Sequence, residues 1–232
     1  MRAVFQQELG TVQDTLVDIS ARVLDAVRDA TTAFNTADIH LADGVIAGDA
    51  NIDALAIELD ELSLEILTRQ SPVARDFRVV VSALRMSAML ERMGDLARHI
   101  AQLARRRYPA KVAATPELQD VFIEMSAQVI RVAELLNRLL RTQNLELAAE
   151  LIRQDDEIDR LHRRVFSVVL GPDWEGEAEH TVDVTLASRF FERFGDQAVA
   201  VARKVQYLAT GEWAPSRQPD GAGGRGPSRP SP

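Results

Sequence analysis

Two stretches of the chain, LERMGDLA at residues 90–97 and FERFGDQA at 191–198, carry the same pattern 101 positions apart. Each puts a glutamate and an aspartate four residues apart, Glu91 with Asp95 and Glu192 with Asp196, and each has a glycine, Gly94 or Gly195, just before the aspartate. A second echo lies upstream of each. VIAGDANID (45–53) matches LIRQDDEID (151–159), which pairs Asp49 with Asp53 and Asp155 with Asp159 at an offset of 106. The second copy is therefore five residues shorter between its two motifs. A chain that repeats itself in order at such a period builds one structural unit twice.

The unit is helical. Leucine, alanine, valine and isoleucine recur at three- and four-residue steps, the spacing of an amphipathic helix, and strand-like alternation is absent. Breakers divide the pattern into six segments, at about 5–31, 36–69, 72–107, 116–141, 145–170 and 177–210. Ser71-Pro72, Tyr108-Pro109 and Gly171-Pro172 interrupt the chain. Thr115 is placed to cap the helix that opens at Pro116, and Gly211 to close the last one. The expected fold is all-α: six long helices as two tandem three-helix bundles, residues 1–110 and 111–211. Short links make sequential helices antiparallel neighbours. Residues 212–232 are rich in proline, glycine and serine and are expected to form a disordered tail.

Composition narrows the function. A net charge of −8 over 232 residues disfavours nucleic acid as a partner. The chain has no cysteine, so disulfides and thiolate metal sites are excluded. The opening MRAVFQQELG lacks the apolar run of a signal peptide, and no stretch approaches the length of a membrane span. A cytoplasmic protein is expected. No phosphate-binding Gly-rich loop, GxSxG or HExxH occurs.

On a helical wheel Met86, Leu90, Met93, Ala97 and Ile100 share one side of the third helix, and Glu91 and Asp95 lie across from it. The sixth helix repeats this, with Phe191, Phe194, Ala198, Val201 and Val205 opposite Glu192 and Asp196. The expectation is an acidic patch on an outer face. Like charges one turn apart repel, so something must offset them. Neighbouring arginines, Arg92, Arg98, Arg189 and Arg193, would make an ordinary salt-bridged surface. A bound cation is the other answer, because hard carboxylate oxygens one turn apart grip one metal or bridge two. The DxxxD pairs on the second and fifth helices strengthen it, since an antiparallel hairpin brings them beside the ExxxD pairs. The repeated glycine points to close approach there or to a helix crossing. His99, one turn after Asp95, reads as a solvated histidine rather than a ligand. A di-iron site of Glu-x-x-His type is ruled out, because residues 94 and 195 are glycines.

The block RQSPVARDFRVVVSALRMSAMLERMGDLARHIA, the segments VIAGDANID and IRQDDEIDRLH, and the opening MRAVFQQEL together resemble the PhoU family, the phosphate-transport accessory proteins, over residues 1–210. The stretch TLASRFFERFGDQAVAVARKVQYLATG is similar to its actinobacterial members. The resemblance implies a non-enzymatic protein that binds multinuclear metal clusters, iron or zinc, with magnesium and manganese as further candidates. It nominates Asp49, Asp53, Glu91 and Asp95 for one cluster and Asp155, Asp159, Glu192 and Asp196 for the other. It implies repression of phosphate uptake and of the phosphate-starvation response, by linking the phosphate ABC transporter ATPase to a membrane sensor histidine kinase, commonly as a homodimer. Arg75, Asp76 and Arg78 are candidates for partner contact or for capping the third helix. The chain departs from the family pattern at His99 and Ala200, where asparagine is typical, and at Gln197, where histidine is. Those changes bear on which metal is held. The alternative is a metal-dependent enzyme or metal store on a helical scaffold; a third reading is a helical adaptor without metal.

Overall fold

A computed structural model describes residues 2–70, 72–73 and 75–211. They form six helices: α1 (Arg2–Thr36), α2 (Ile39–Gln70), α3 (Arg75–Arg107), α4 (Pro116–Thr142), α5 (Leu145–Val169) and α6 (Ala178–Thr210). The expected tail, residues 212–232, and Ser71 of the expected break lie outside the described residues.

The ends follow local chemistry. Thr115 accepts a hydrogen bond from the Leu118 backbone N–H and caps α4 with Pro116 behind it. Asn144 accepts from the Glu146 N–H and caps α5. Gly211, at φ 78°, closes α6. The first link differs from expectation. α1 continues to Thr36, and the turn is made by Ala37 at φ 57°, a left-handed conformation that alanine seldom takes. Asp38 then caps α2, its Oδ1 accepting from the His40 and Leu41 N–H groups at 2.9 and 3.1 Å. α3 begins at Arg75, three residues later than Pro72 suggests. Pro72 and Val73 themselves are non-helical.

Contacts run in opposite chain directions between neighbours. Asp43 meets Arg105 and Asp49 meets Arg98, so α2 and α3 are antiparallel. α1, α2 and α3 pack on one another, as do α4, α5 and α6. The two bundles join through corresponding helices, α1 on α4 and α3 on α6, the like-with-like pairing of a two-fold relation. Phe34 of α1, Phe122 of α4 and Phe191 of α6 meet at this joint with ring centroids 4.9 to 5.6 Å apart. Asn35 donates to Ser126 Oγ across it, and Asn137 to Ser20 Oγ. A single hydrophobic core runs through all six helices.

Candidate functional site

The aspartates of the DxxxD motifs point into the helix packing. Asp49 and Asp155 are buried, at 8% and 5% exposure, while Asp53 and Asp159 are half-buried. Glu91, Asp95 and Glu192 are half-buried, and Asp196 is exposed. The expected outer-face patch is therefore corrected: most of these acids line the α2–α3 and α5–α6 seams. The cause is the number of neighbours. α3 packs on α1, α2 and α6, so its buried arc extends well beyond the Met86–Ile100 stripe to include Gly94, Leu96, Ala101 and Ala104.

The glycines explain how the seams close. A methyl group at Gly94 would meet Ile52 Cδ1 at 3.0 Å and Asp49 Oδ1 at 3.4 Å. At Gly195 it would collide with Asp155 Oδ1 and touch Ile158 Cδ1 at 3.1 Å. The missing side chains let the α2 and α5 aspartates lie against the backbones of α3 and α6. The two alternatives, close approach of a carboxylate and a helix crossing, coincide at the same residues.

Electrostatics separates the two seams. In the first, Arg98 of α3 bridges to α2: its Nε lies 2.5 Å from Asp49 Oδ2, and its Nη2 contacts Asp95 Oδ1. Arg92 Nη1 takes the other Asp95 oxygen at 2.9 Å. Burial tends to raise Asp95, but hydrogen bonds from Arg98 and Arg92 hold it below the usual carboxylate range. Burial raises Asp49 against the opposing charge of Arg98, with Asp53 and Asp95 adding to the rise. Glu91 is raised by burial, then by Asp95 and Asp53.

In the second seam, burial and then the Asp196 charge push Glu192 up to about 7, although Arg189 Nη1 sits 2.5 Å from its Oε1. Asp196 is exposed as a residue, yet the protein packed around its carboxyl and the neighbouring Asp159 raise it too. Among the described residues, no three Asp, Glu or His side chains are gathered as a closed ligand set for one ion. The second seam nonetheless supplies hard oxygen donors of one sign whose mutual repulsion a cation would relieve, and in that sense it fits a metal. In the first seam Arg98 already pairs with Asp49 and Asp95, so a cation would compete with it there.

His99 is half-buried rather than solvated. Its ring packs 5.1 Å from Phe190 across the joint between the bundles, and burial, then the Arg98 charge, lower its pKa. Arg75 and Arg78 are exposed and Asp76 is half-buried in the first turn of α3, where its N–H donates to the Val73 carbonyl. They sit 13 or more residues before Glu91, roughly 20 Å along the helix at 1.5 Å per residue, and are not part of the carboxylate seam. The role of Arg98 as a link between helices was missed in the sequence. The signal was available: the residue three after Asp95 is arginine, and the residue three after Asp196 is Val199.

The PhoU domain pattern matches residues 16–104 and 122–205, one match per bundle. The chain belongs to the PhoU family. It is 37% identical over 211 residues to the phosphate-specific transport system accessory protein PhoU homolog 2 of Mycobacterium tuberculosis, covering 91% of this chain and 99% of that one. Homolog 1 of Mycobacterium leprae is 36% identical over 213 residues, covering 92% and 96%. Among solved structures, PhoU from Pseudomonas aeruginosa superposes with a TM-score of 0.80 at 26% identity, over 90% of this chain and all of that one. PhoU from Streptococcus pneumoniae gives the same TM-score at 20% identity, over 91% and 99%, which attests the shared fold. The mycobacterial relatives are named accessory proteins of a phosphate-specific transport system, and the Streptococcus pneumoniae protein a phosphate transport system regulatory protein. No described helix is long and apolar enough to cross a membrane.

Proposed function

We propose that this PhoU protein is a cytoplasmic, metal-binding accessory protein of phosphate transport. It restrains phosphate uptake and the starvation response by coupling the phosphate ABC transporter ATPase to its sensor histidine kinase. The observation that carries the transport assignment is the near full-length similarity to mycobacterial proteins named as accessory to a phosphate-specific transport system. Kinase coupling and the direction of control follow from the family resemblance. Exposed Ile57 and Leu64, two turns apart on α2, offer apolar contact to a partner helix or to a second copy in a homodimer.

Metal binding is supported by the mutual repulsion of the second-seam acids, where neighbouring carboxylates raise Glu192 and Asp196 beyond the effect of burial. Asp155, Asp159, Glu192 and Asp196 would hold the ion there, and Asp49, Asp53, Glu91 and Asp95 are the corresponding set. Iron and zinc lead, with magnesium and manganese as candidates. Bound metal would neutralise charge between α5 and α6 and fix the angle at which they present their outer surfaces. Deleting the gene should switch phosphate-responsive transcription on in phosphate-replete medium. Unchanged transcription, in a strain also lacking any second copy, would sink the regulatory part. Elemental analysis of protein purified without chelator tests the metal.

A further inference from the structure

We infer that the groove between α3 and α6 is a nucleotide site, whose apolar end takes the base and whose arginines take the phosphates. This goes beyond the transport and metal readings above and stands independently of both.

The groove has a volume of about 520 Å³. Small-molecule sites fall at about 300–1,000 Å³. One face of α3 lines it, with His99, Gln102 and Arg106 recurring at three- and four-residue steps beside Arg105. From α6 come Leu186 and Phe190, one turn apart. The groove is polarised along its length. At one end the His99 ring packs 5.1 Å from Phe190, and the two rings make an aromatic wall that partly exposed Leu186 continues. At the other end stand Arg105 and Arg106, both exposed. Between His99 and Arg106 the helix rises about 10 Å at 1.5 Å per residue, room for a ring, a sugar and phosphates laid in line.

No acidic side chain among the described residues lines the groove, although the chain carries a net charge of −8. Both arginines have charge to spare. Arg105 reaches Asp43 at 3.3 Å with both side chains about half in water, so exchanging that contact for a phosphate costs little. Arg106 shares its carboxylate partner, Asp183, with Arg107. Guanidinium groups suit phosphate because they offer two parallel donors. The negative pole of α3 lies beside them, so an anion is held by the side chains and not by the helix. Gln102 stands between the two ends with an amide that can both donate and accept. An inorganic phosphate would leave the apolar end empty, and an uncharged ring would leave the arginines unused. A ligand with both parts fills the groove.

The test is isothermal titration calorimetry on full-length protein kept in chelator, so that no metal at the seams can recruit phosphate. ATP and GTP are the probes, with adenosine and tripolyphosphate as the separate halves. At least one nucleotide should bind at one site per chain with a Kd below about 1 mM, and each half at least about tenfold more weakly. Arg105→Glu and Leu186→Glu, both at exposed positions on the groove, should each weaken the nucleotide by about tenfold or more with helical circular dichroism unchanged. Arg138→Glu, an exposed charge reversal on α4, should bind as the wild type does. No saturable binding of either nucleotide would overturn the assignment. So would tripolyphosphate binding as tightly as the nucleotides, which would make the groove an anion site only. Equal loss in all three variants would reduce the attraction to net charge, and binding untouched by both groove variants would put the nucleotide elsewhere; either result overturns it too.

Discussion

Gly195 trades helix propensity for proximity. Glycine inside a helix costs about 1 kcal/mol against alanine, yet a methyl group here would displace the Asp155 carboxylate. Gly195→Ala should therefore keep its helical content and lose bound metal, read by circular dichroism and elemental analysis on one sample; retained metal would show that the close approach is structural only. Glu192 supplies a second test. Its pKa of about 7 in the fold against an ordinary 4.5 means that the folded chain keeps a proton the unfolded chain has released. Stability of the metal-free protein should then fall as pH climbs between those values, with no penalty below about 4.5 and the full penalty above about 7. Urea midpoints in chelator at pH 5 and pH 8 should drop for the wild type and drop less for Glu192→Gln. Equal drops would place the titration elsewhere. The pairing of these acids was legible in the sequence because the four-residue step puts both on one helix face. Their burial was not, since a wheel shows which residues share a face but not how many helices press on it. Asp49 and Asp155 are polar residues in buried positions, and only the facing glycines hinted that something comes close there.

The α3–α6 contact holds the repeats together at their polar edge as the phenylalanines do at their apolar centre. Asp183 of α6 is 1% exposed and takes both Arg106 and Arg107 of α3, the latter through Nε at 2.5 Å. The three-arginine end of α3 also lies where its helix dipole is negative, which favours positive charge. Removing Asp183 leaves Arg107, 23% exposed, without its buried partner. Asp183→Ala should cost about 2 kcal/mol, below the range for a fully buried pair because Arg106 is half in water. A denaturation midpoint within error of the wild type would show that the pair contributes nothing. The helices themselves were largely readable, since proline, glycine and capping threonine mark most boundaries. The α1–α2 link was misplaced because Ala37 makes a left-handed turn with none of the residues that usually announce one. Residues 32–35 look like a break in the pattern, whereas Phe34 is buried, its ring packed on Phe122 and Phe191 of the second bundle. Its aromatic partners come from another repeat, which no local periodicity can display.

Duplication invites the idea of two independent domains, but the packing argues for one cooperative unit. Phe34, Phe122 and Phe191 are each at most 1% exposed, and each is buried partly by the other bundle. Separating the bundles would expose these rings, and deleting one such side chain typically costs about 3–5 kcal/mol. The two repeats should therefore unfold together. Trp174, between α5 and α6, donates its indole N–H to Thr181 Oγ1 at 2.9 Å and reports on the second bundle alone. Trp213 is the other tryptophan, so fluorescence is read in a Trp213→Phe background. In metal-free protein, the Trp174 transition in urea should coincide with the loss of helical circular dichroism, which reports all six helices. Two resolved transitions would mean that the joint is too weak to couple the repeats. Phe191→Ala should move both signals to lower urea by the same amount, because the ring belongs to both cores at once. If only the fluorescence shifted, the joint would not transmit the damage. A signal set up at one seam would then have no route through the packing to the other bundle.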